Sequence, residues 1–157
     1  MTAELAASST SRTDSSAPAR RGDRRVRLLG TLLVALGVLM VLGGAGAWVA
    51  VSQGLASERA MVAEDAPAFA GQPISSPWTA FAQTEAIKGH IAGMADGETY
   101  ATMDQDDPMR DTVAQGTFVR GSLLTSVIAF GVALAVVGTG TGFVLGGLGL
   151  RRVAAAH

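Results

Sequence analysis

The chain has 157 residues, 48% of them hydrophobic, with twenty glycines, no cysteine and a formal net charge of −1. The missing cysteine excludes disulfides and thiolate metal sites. The small net charge conceals a segregation, because residues 28–57 and 121–150 carry no charged side chain while the rest is densely charged; a soluble core, with its even mixing of polar and apolar residues, is excluded.

Residues 1–27 hold eight Ser or Thr before position 17, then Pro18 and the cluster Arg20, Arg21, Arg24, Arg25 and Arg27, with no apolar periodicity. That composition predicts a disordered basic leader. Residues 28–51 follow as the densest apolar run, and at about 1.5 Å per residue they make roughly 36 Å of helix against a hydrocarbon core of about 30 Å. The competing reading is a signal peptide with small residues at Ala45, Gly46 and Ala47. The run far exceeds the roughly 7 to 15 apolar residues of a signal-peptide core, so an uncleaved transmembrane helix is expected.

Residues 52–121 form an acidic segment. Pro67, Gly71 and Pro73 oppose helix continuation and predict a loop. Ser76 and Pro77 read as N-cap and first helical position of a helix over 77–95 that ends near Gly97. A second start at Asp107 and Pro108 opens a helix that only isolated glycines interrupt as far as Arg152, so the second transmembrane helix, residues 122–150, is expected to extend outward as a stalk. Phe69, Ile74, Trp78, Phe81, Ile87, Ile91, Met94, Tyr100 and Met103 are the candidate core against Met109, Val113 and Phe118, with Trp78 and Tyr100 at a bilayer interface as the alternative. Residues 151–157 are a short tail.

Charge sets the expected topology. The flanks, residues 1–57 and 151–157, carry eight basic against three acidic residues, whereas residues 58–120 carry four against ten. Arg20, Arg21, Arg24, Arg25 and Arg27 before the first span and Arg151 and Arg152 after the second place both termini in the cytoplasm of a plasma-membrane protein and the acidic middle outside. The fold class expected is an all-α membrane protein: a two-transmembrane-helix hairpin with a small, mostly helical extracytoplasmic domain.

Two glycine stripes are the candidate helix-packing sites. Gly30, Gly37 and Gly44 recur every seven residues, the spacing of a left-handed helix pair; Gly138, Gly142 and Gly146 recur every four. The simplest partner of each stripe is the other span, and self-association or another membrane protein is the further option, with the lipid bilayer as the general partner and no nucleic acid. Catalytic candidates fail one by one. Counted from Asp104, a calcium loop would need glycine at its sixth position and Glu at its twelfth, where Met109 and Gln115 stand. His90, near Glu85, is the one histidine of the middle segment, and His157 lies on the other side, so no two-histidine iron site forms. Ser122, Thr125 and Ser126 have no base beside them, and neither span holds an ionisable group. No cofactor, metal or catalytic residue is expected.

Glu64-Asp65-Ala66-Pro67-Ala68-Phe69-Ala70-Gly71, then Thr99-Tyr100-Ala101, Asp107-Pro108 and Ser122-Leu123-Leu124-Thr125-Ser126-Val127-Ile128-Ala129-Phe130-Gly131 resemble a family of small two-span actinobacterial membrane proteins over roughly residues 28–150. Members often bear the label "aromatic ring-opening dioxygenase", after the small subunit of a soluble iron enzyme. The resemblance implies a two-span membrane protein and carries over no functional residue. The functional expectation is a non-enzymatic envelope or membrane-complex accessory protein; the alternatives are a subunit related to a ring-opening dioxygenase and a membrane sensor signalling through the stalk.

Overall fold

The computed structural model describes residues 17–156, with side chains from residue 22 onward, as three helices: α1 Ala17–Ser57, α2 Pro77–Met94 and α3 Arg110–Val153. Residues 1–16 of the expected leader lie outside the described residues. Its remainder departs from the expectation, because residues 17–27 belong to α1. Proline is tolerated in a first turn, and the Ala and Arg residues that follow Pro18 favour the helix that the apolar run propagates.

Helix α1 closes as Ser57 donates its hydroxyl to the Gly54 carbonyl at 2.6 Å and Arg59 takes a left-handed φ of 52°. A loop follows, folded back on itself by an antiparallel bridge between Met61 and Pro73, with the Val62 N–H donating to Gln72 at 2.9 Å and the Gly71 N–H to Val62 at 3.0 Å. The return needs left-handed backbone at Phe69 and Gly71, and glycine supplies the second without steric cost. Helix α2 starts where Ser76 and Pro77 place it: the Ser76 hydroxyl accepts from the Thr79 N–H, and the Thr79 hydroxyl accepts from the Ser76 N–H, each at 3.2 Å. It ends at Met94, before left-handed Asp96 and Gly97.

Helix α3 begins at Arg110 rather than Pro108. Asp107 spends its carboxylate on the Met109 N–H at 2.7 Å, closing a turn that precedes the first helical residue. From there the helix is continuous through Val153, about 66 Å at 1.5 Å per residue. It is the spine of the molecule: α1 packs antiparallel along its C-terminal part and α2 along its N-terminal part.

The core beside α2 is smaller than its large apolar residues suggest. Val62, Ile74, Ala80 and Ala82 are buried against Leu55, Leu123 and Val127, and Ala95, Met103 and Val113 form a second cluster with Ile91 and Met109. Phe69, Trp78, Phe81, Met94, Tyr100 and Phe118 stay exposed. What helix α2 buries is small, Thr79, Ala80, Ala82, Thr84 and Ala86, on its two sides. Small side chains let two backbones come close, and at Gly116 the space a Cβ would take is filled by Ile91, whose Cδ1 would lie 2.9 Å away.

Helices α1 and α3 are each long and apolar enough to cross a membrane. Only 17% of the most apolar window of either is buried within the molecule. Leu39, Leu42, Ile128 and Leu145 are each about two-thirds exposed, so these helices do not have the buried surroundings of a soluble core.

Candidate functional site

The most specific geometry in the molecule is the seam between α1 and α3. A Cβ on Gly37 would stand 2.5 Å from the Gly140 carbonyl oxygen, one on Gly44 2.8 Å from that of Ala133, and one on Gly30 2.8 Å from that of Gly147. The approach is reciprocal, since a Cβ on Gly140 would meet the Gly37 oxygen at 2.7 Å and one on Gly147 the Gly30 oxygen at 2.6 Å. Each pair of residue numbers adds to 177, and each step along the seam is seven residues on both helices, the repeat that holds one face toward one partner. Between Gly44 and the C-terminal end of α1, Trp48 meets Phe130 edge to face at 4.7 Å, and Phe130 is fully buried.

Gly138 and Gly142, by contrast, face open space, and Gly146 would touch only the Leu33 side chain at 3.6 Å. The four-residue stripe on α3 is therefore not the face that meets α1. The partners of Gly30, Gly37 and Gly44 are Gly147, Gly140 and Ala133, which share their seven-residue spacing. Matching the period of one helix to the other was the signal that identifies them.

The same register fixes depth. Arg27 stands level with Leu150 and Ser57 with Arg120, so the two charge-free runs begin and end together. The lower end is basic. Arg27, Leu148, Arg151, Arg152 and Ala155 line a cleft of about 320 Å³, and Asp23, Arg24, Arg27 and Ala154 line another of about 490 Å³. The Arg151 stem crosses the seam above Gly30, whose missing side chain makes room for it; a Cβ there would lie 2.9 Å from Arg151 Cγ. Arg25 is exposed outside both clefts; the side chains of Arg20 and Arg21 lie outside the described residues.

At the upper end, two cavities flank α2. One of about 460 Å³ runs between Leu55, Met61, Ile74, Ile87, Phe118 and Leu123; the other, about 550 Å³, lies among Lys88, Ile91, Tyr100, Val113, Thr117 and Arg120. Among the described residues the Arg120 Nε is the one buried side-chain nitrogen with no hydrogen-bond partner. Arg110 is occupied: it donates to the Met103 carbonyl at 2.6 Å and stacks on Tyr100 at 4.2 Å from the ring centre.

His90 pairs across the chain, not along its helix. Its Nε2 lies 2.6 Å from Asp65 Oδ2, joining α2 to the preceding loop, while Glu85 pairs with Lys88 at 3.6 Å. That hydrogen bond is the main cause holding the Asp65 carboxyl below its ordinary value, against a smaller opposing effect of desolvation. The Thr125 and Ser126 hydroxyls donate to helix carbonyls four residues back, Gly121 at 3.0 Å and Ser122 at 3.4 Å. Among the described residues no three His, Asp or Glu side chains converge as a metal site, the Asp104, Asp106 and Asp107 group included. Compared with protein-family models, curated proteins and solved structures, the chain finds no match.

Proposed function

We propose that the chain is a two-span plasma-membrane protein, with both termini cytoplasmic and residues 58–120 forming a helical cap outside, that acts as a non-enzymatic accessory of a membrane complex. The observation that carries this reading is the use of one small-residue face and the sparing of another: Gly30, Gly37 and Gly44 are consumed by α3, while Gly138 and Gly142 remain open on the exterior. An unoccupied small face within an apolar belt suits close approach of a further helix.

Two arguments support the membrane part. The level ends of the two charge-free runs give the pair one continuous apolar belt bounded by charge at both rims. Sixteen of the twenty glycines also lie in α1 and α3. Each costs up to about 1 kcal/mol against Ala in a water-exposed helix, whereas in hydrocarbon the backbone has no partner but itself and stays helical. Trp78, two-thirds exposed near the level of Leu123, falls where an amphipathic ring suits the bilayer interface. A sensor role has one favourable feature, the unbroken helix that joins cap to tail.

Single cysteines at Ala101 and Ala155, both exposed, test the topology: in sealed cells an impermeant reagent labels only Ala101→Cys, and labelling of Ala155→Cys overturns the orientation. Photocrosslinking from Gly142 in native membranes captures a membrane partner or a second copy under the accessory reading. Recovery instead of a soluble iron-bearing partner with catechol-cleaving activity replaces it with the dioxygenase-related one.

A further inference from the structure

We infer that the basic mouth of the α1–α3 pair is a binding site for one anionic lipid headgroup carrying two phosphates. This rests on the membrane reading above and deepens it by naming a ligand.

Four arginines line the two clefts there, Arg27, Arg151 and Arg152 the first and Arg24 and Arg27 the second. Arg24 and Arg27 lie one turn apart on α1, and the seam register sets Arg151 and Arg152 opposite the stretch between them, so all four backbones fall within about 5 Å along the axis. Among the described residues no carboxylate stands within 4.0 Å of any of them, although Asp23 lines the second cleft. Four like charges repel. The end of α3 offsets part of this for Arg151 and Arg152, because a helix C-terminus is the negative end of its dipole. Arg24 and Arg27 have no such relief: they sit toward the positive end of α1, whose first turn holds no acid. An external anion completes the arrangement, and guanidinium forks match phosphate oxygens in pairs.

The clefts decide the valence of the ligand. The two adjoin through Arg27: the first holds arginine from both helices, Arg27 facing Arg151 and Arg152, and the second holds Arg24 and Arg27 of α1 beside Asp23. Leu148, Ala154 and Ala155 supply apolar surface beside the charges, and Leu150 begins the charge-free belt at the level of Arg27. A ligand with two linked phosphates and acyl chains fills both clefts while its tails continue down the belt. Basic pockets between membrane helices hold headgroups of this type. Linking the phosphates makes the second contact intramolecular, which favours the two-phosphate lipid over two separate one-phosphate lipids at equal charge.

The test reconstitutes the full chain in phosphatidylcholine vesicles containing either cardiolipin or twice the molar amount of phosphatidylglycerol, so that surface charge is matched. Native mass spectrometry then reads the lipid retained. The expected result is one retained cardiolipin per chain, in roughly tenfold preference over phosphatidylglycerol. Arg27→Gln removes most of that preference, and Arg25→Gln, which deletes the same charge outside the clefts, leaves it in place. Equal retention of the two lipids, or equal effects of the two variants, overturns the proposal in favour of general surface attraction. Displacement of cardiolipin by inorganic pyrophosphate overturns the lipid assignment and points to a soluble phosphate ligand. Alkaline washing separates the underlying reading: a chain that stays in the vesicles but shows no lipid preference refutes the site alone, and one that washes off refutes the membrane span.

Discussion

Placing a methyl group at Gly37 and one at Gly142 separates packing from composition. Both are helical glycines in apolar runs, and on propensity alone Gly→Ala gains between nothing, for a helix held in hydrocarbon, and about 1 kcal/mol, its value in water, at either. At Gly142 nothing lies within 4 Å of the new Cβ, so any such gain stands. At Gly37 the Cβ would lie 2.5 Å from the Gly140 oxygen and 2.8 Å from both the Val144 N and Cγ2. Two of those three atoms are backbone and cannot rotate away. Restoring ordinary contact requires the helices to part by roughly 1 Å, and a gap of 0.5 to 1 Å forfeits about a quarter to a half of each dispersion contact along the seam. Overpacking of this kind costs about 1 to 3 kcal/mol, so Gly37→Ala is expected to lower stability by roughly 1 to 2 kcal/mol after the propensity gain, while Gly142→Ala is neutral or stabilising. Thermal or denaturant unfolding of the detergent-solubilised chain, followed by circular dichroism, measures the contrast. Equal stability of the two variants would refute the seam as a source of stability.

Two further outcomes concern the cap. The Asp65 carboxyl is held below 3.8 by its bond from His90, so the pair stabilises the fold fully above that value and its contribution disappears as pH falls through the lowered one; the difference in unfolding temperature between the wild type and Asp65→Asn closes in acid, and a gap that persists there excludes the pair as its cause. Ser76→Ala removes the N-cap of α2 at a cost of about 1 kcal/mol, and Ser76→Asp restores it; amide hydrogen exchange over the first turn of α2 reports both, and unchanged protection in Ser76→Ala shows that packing alone holds that turn.

The three helices were legible because their signals are local. Serine before proline specifies the start of α2 and Gly97 its end, to which the structure adds the Thr79 hydroxyl and a left-handed Asp96. What the sequence hid is which face of each helix is used. Trp78, Phe81 and Phe118 drew attention as core because large apolar residues are usually buried, yet they stay exposed, and what α2 buries is small, Ala80, Ala82 and Ala86, while Ile91 closes on Gly116 of α3. His90 was read against Glu85, five residues earlier on its own helix, when its partner Asp65 is set by the fold of a loop that no periodicity describes.

The seam shows most clearly why the rest was hidden. Gly138, Gly142 and Gly146 form the denser stripe, and judged one helix at a time they are the better packing face. A packing face is a property of two helices, and Gly30, Gly37 and Gly44 can be met along their length only by a face that advances at the same rate. On α3 that face is Ala133, Gly140 and Gly147. The choice has a consequence beyond packing, since the register it imposes is also the one that brings Arg27 level with Leu150 and Ser57 level with Arg120. Slipping α3 by one heptad in either direction would keep small residues opposed at all three seam positions, Ala154, Gly147 and Gly140 one way and Gly140, Ala133 and Ser126 the other, but displace the rims of the apolar belt by about 10 Å, leaving charge inside the belt at one end of each helix. The glycine spacing therefore specifies the faces that meet and the charge boundaries their alignment, through close approach in one case and desolvation in the other.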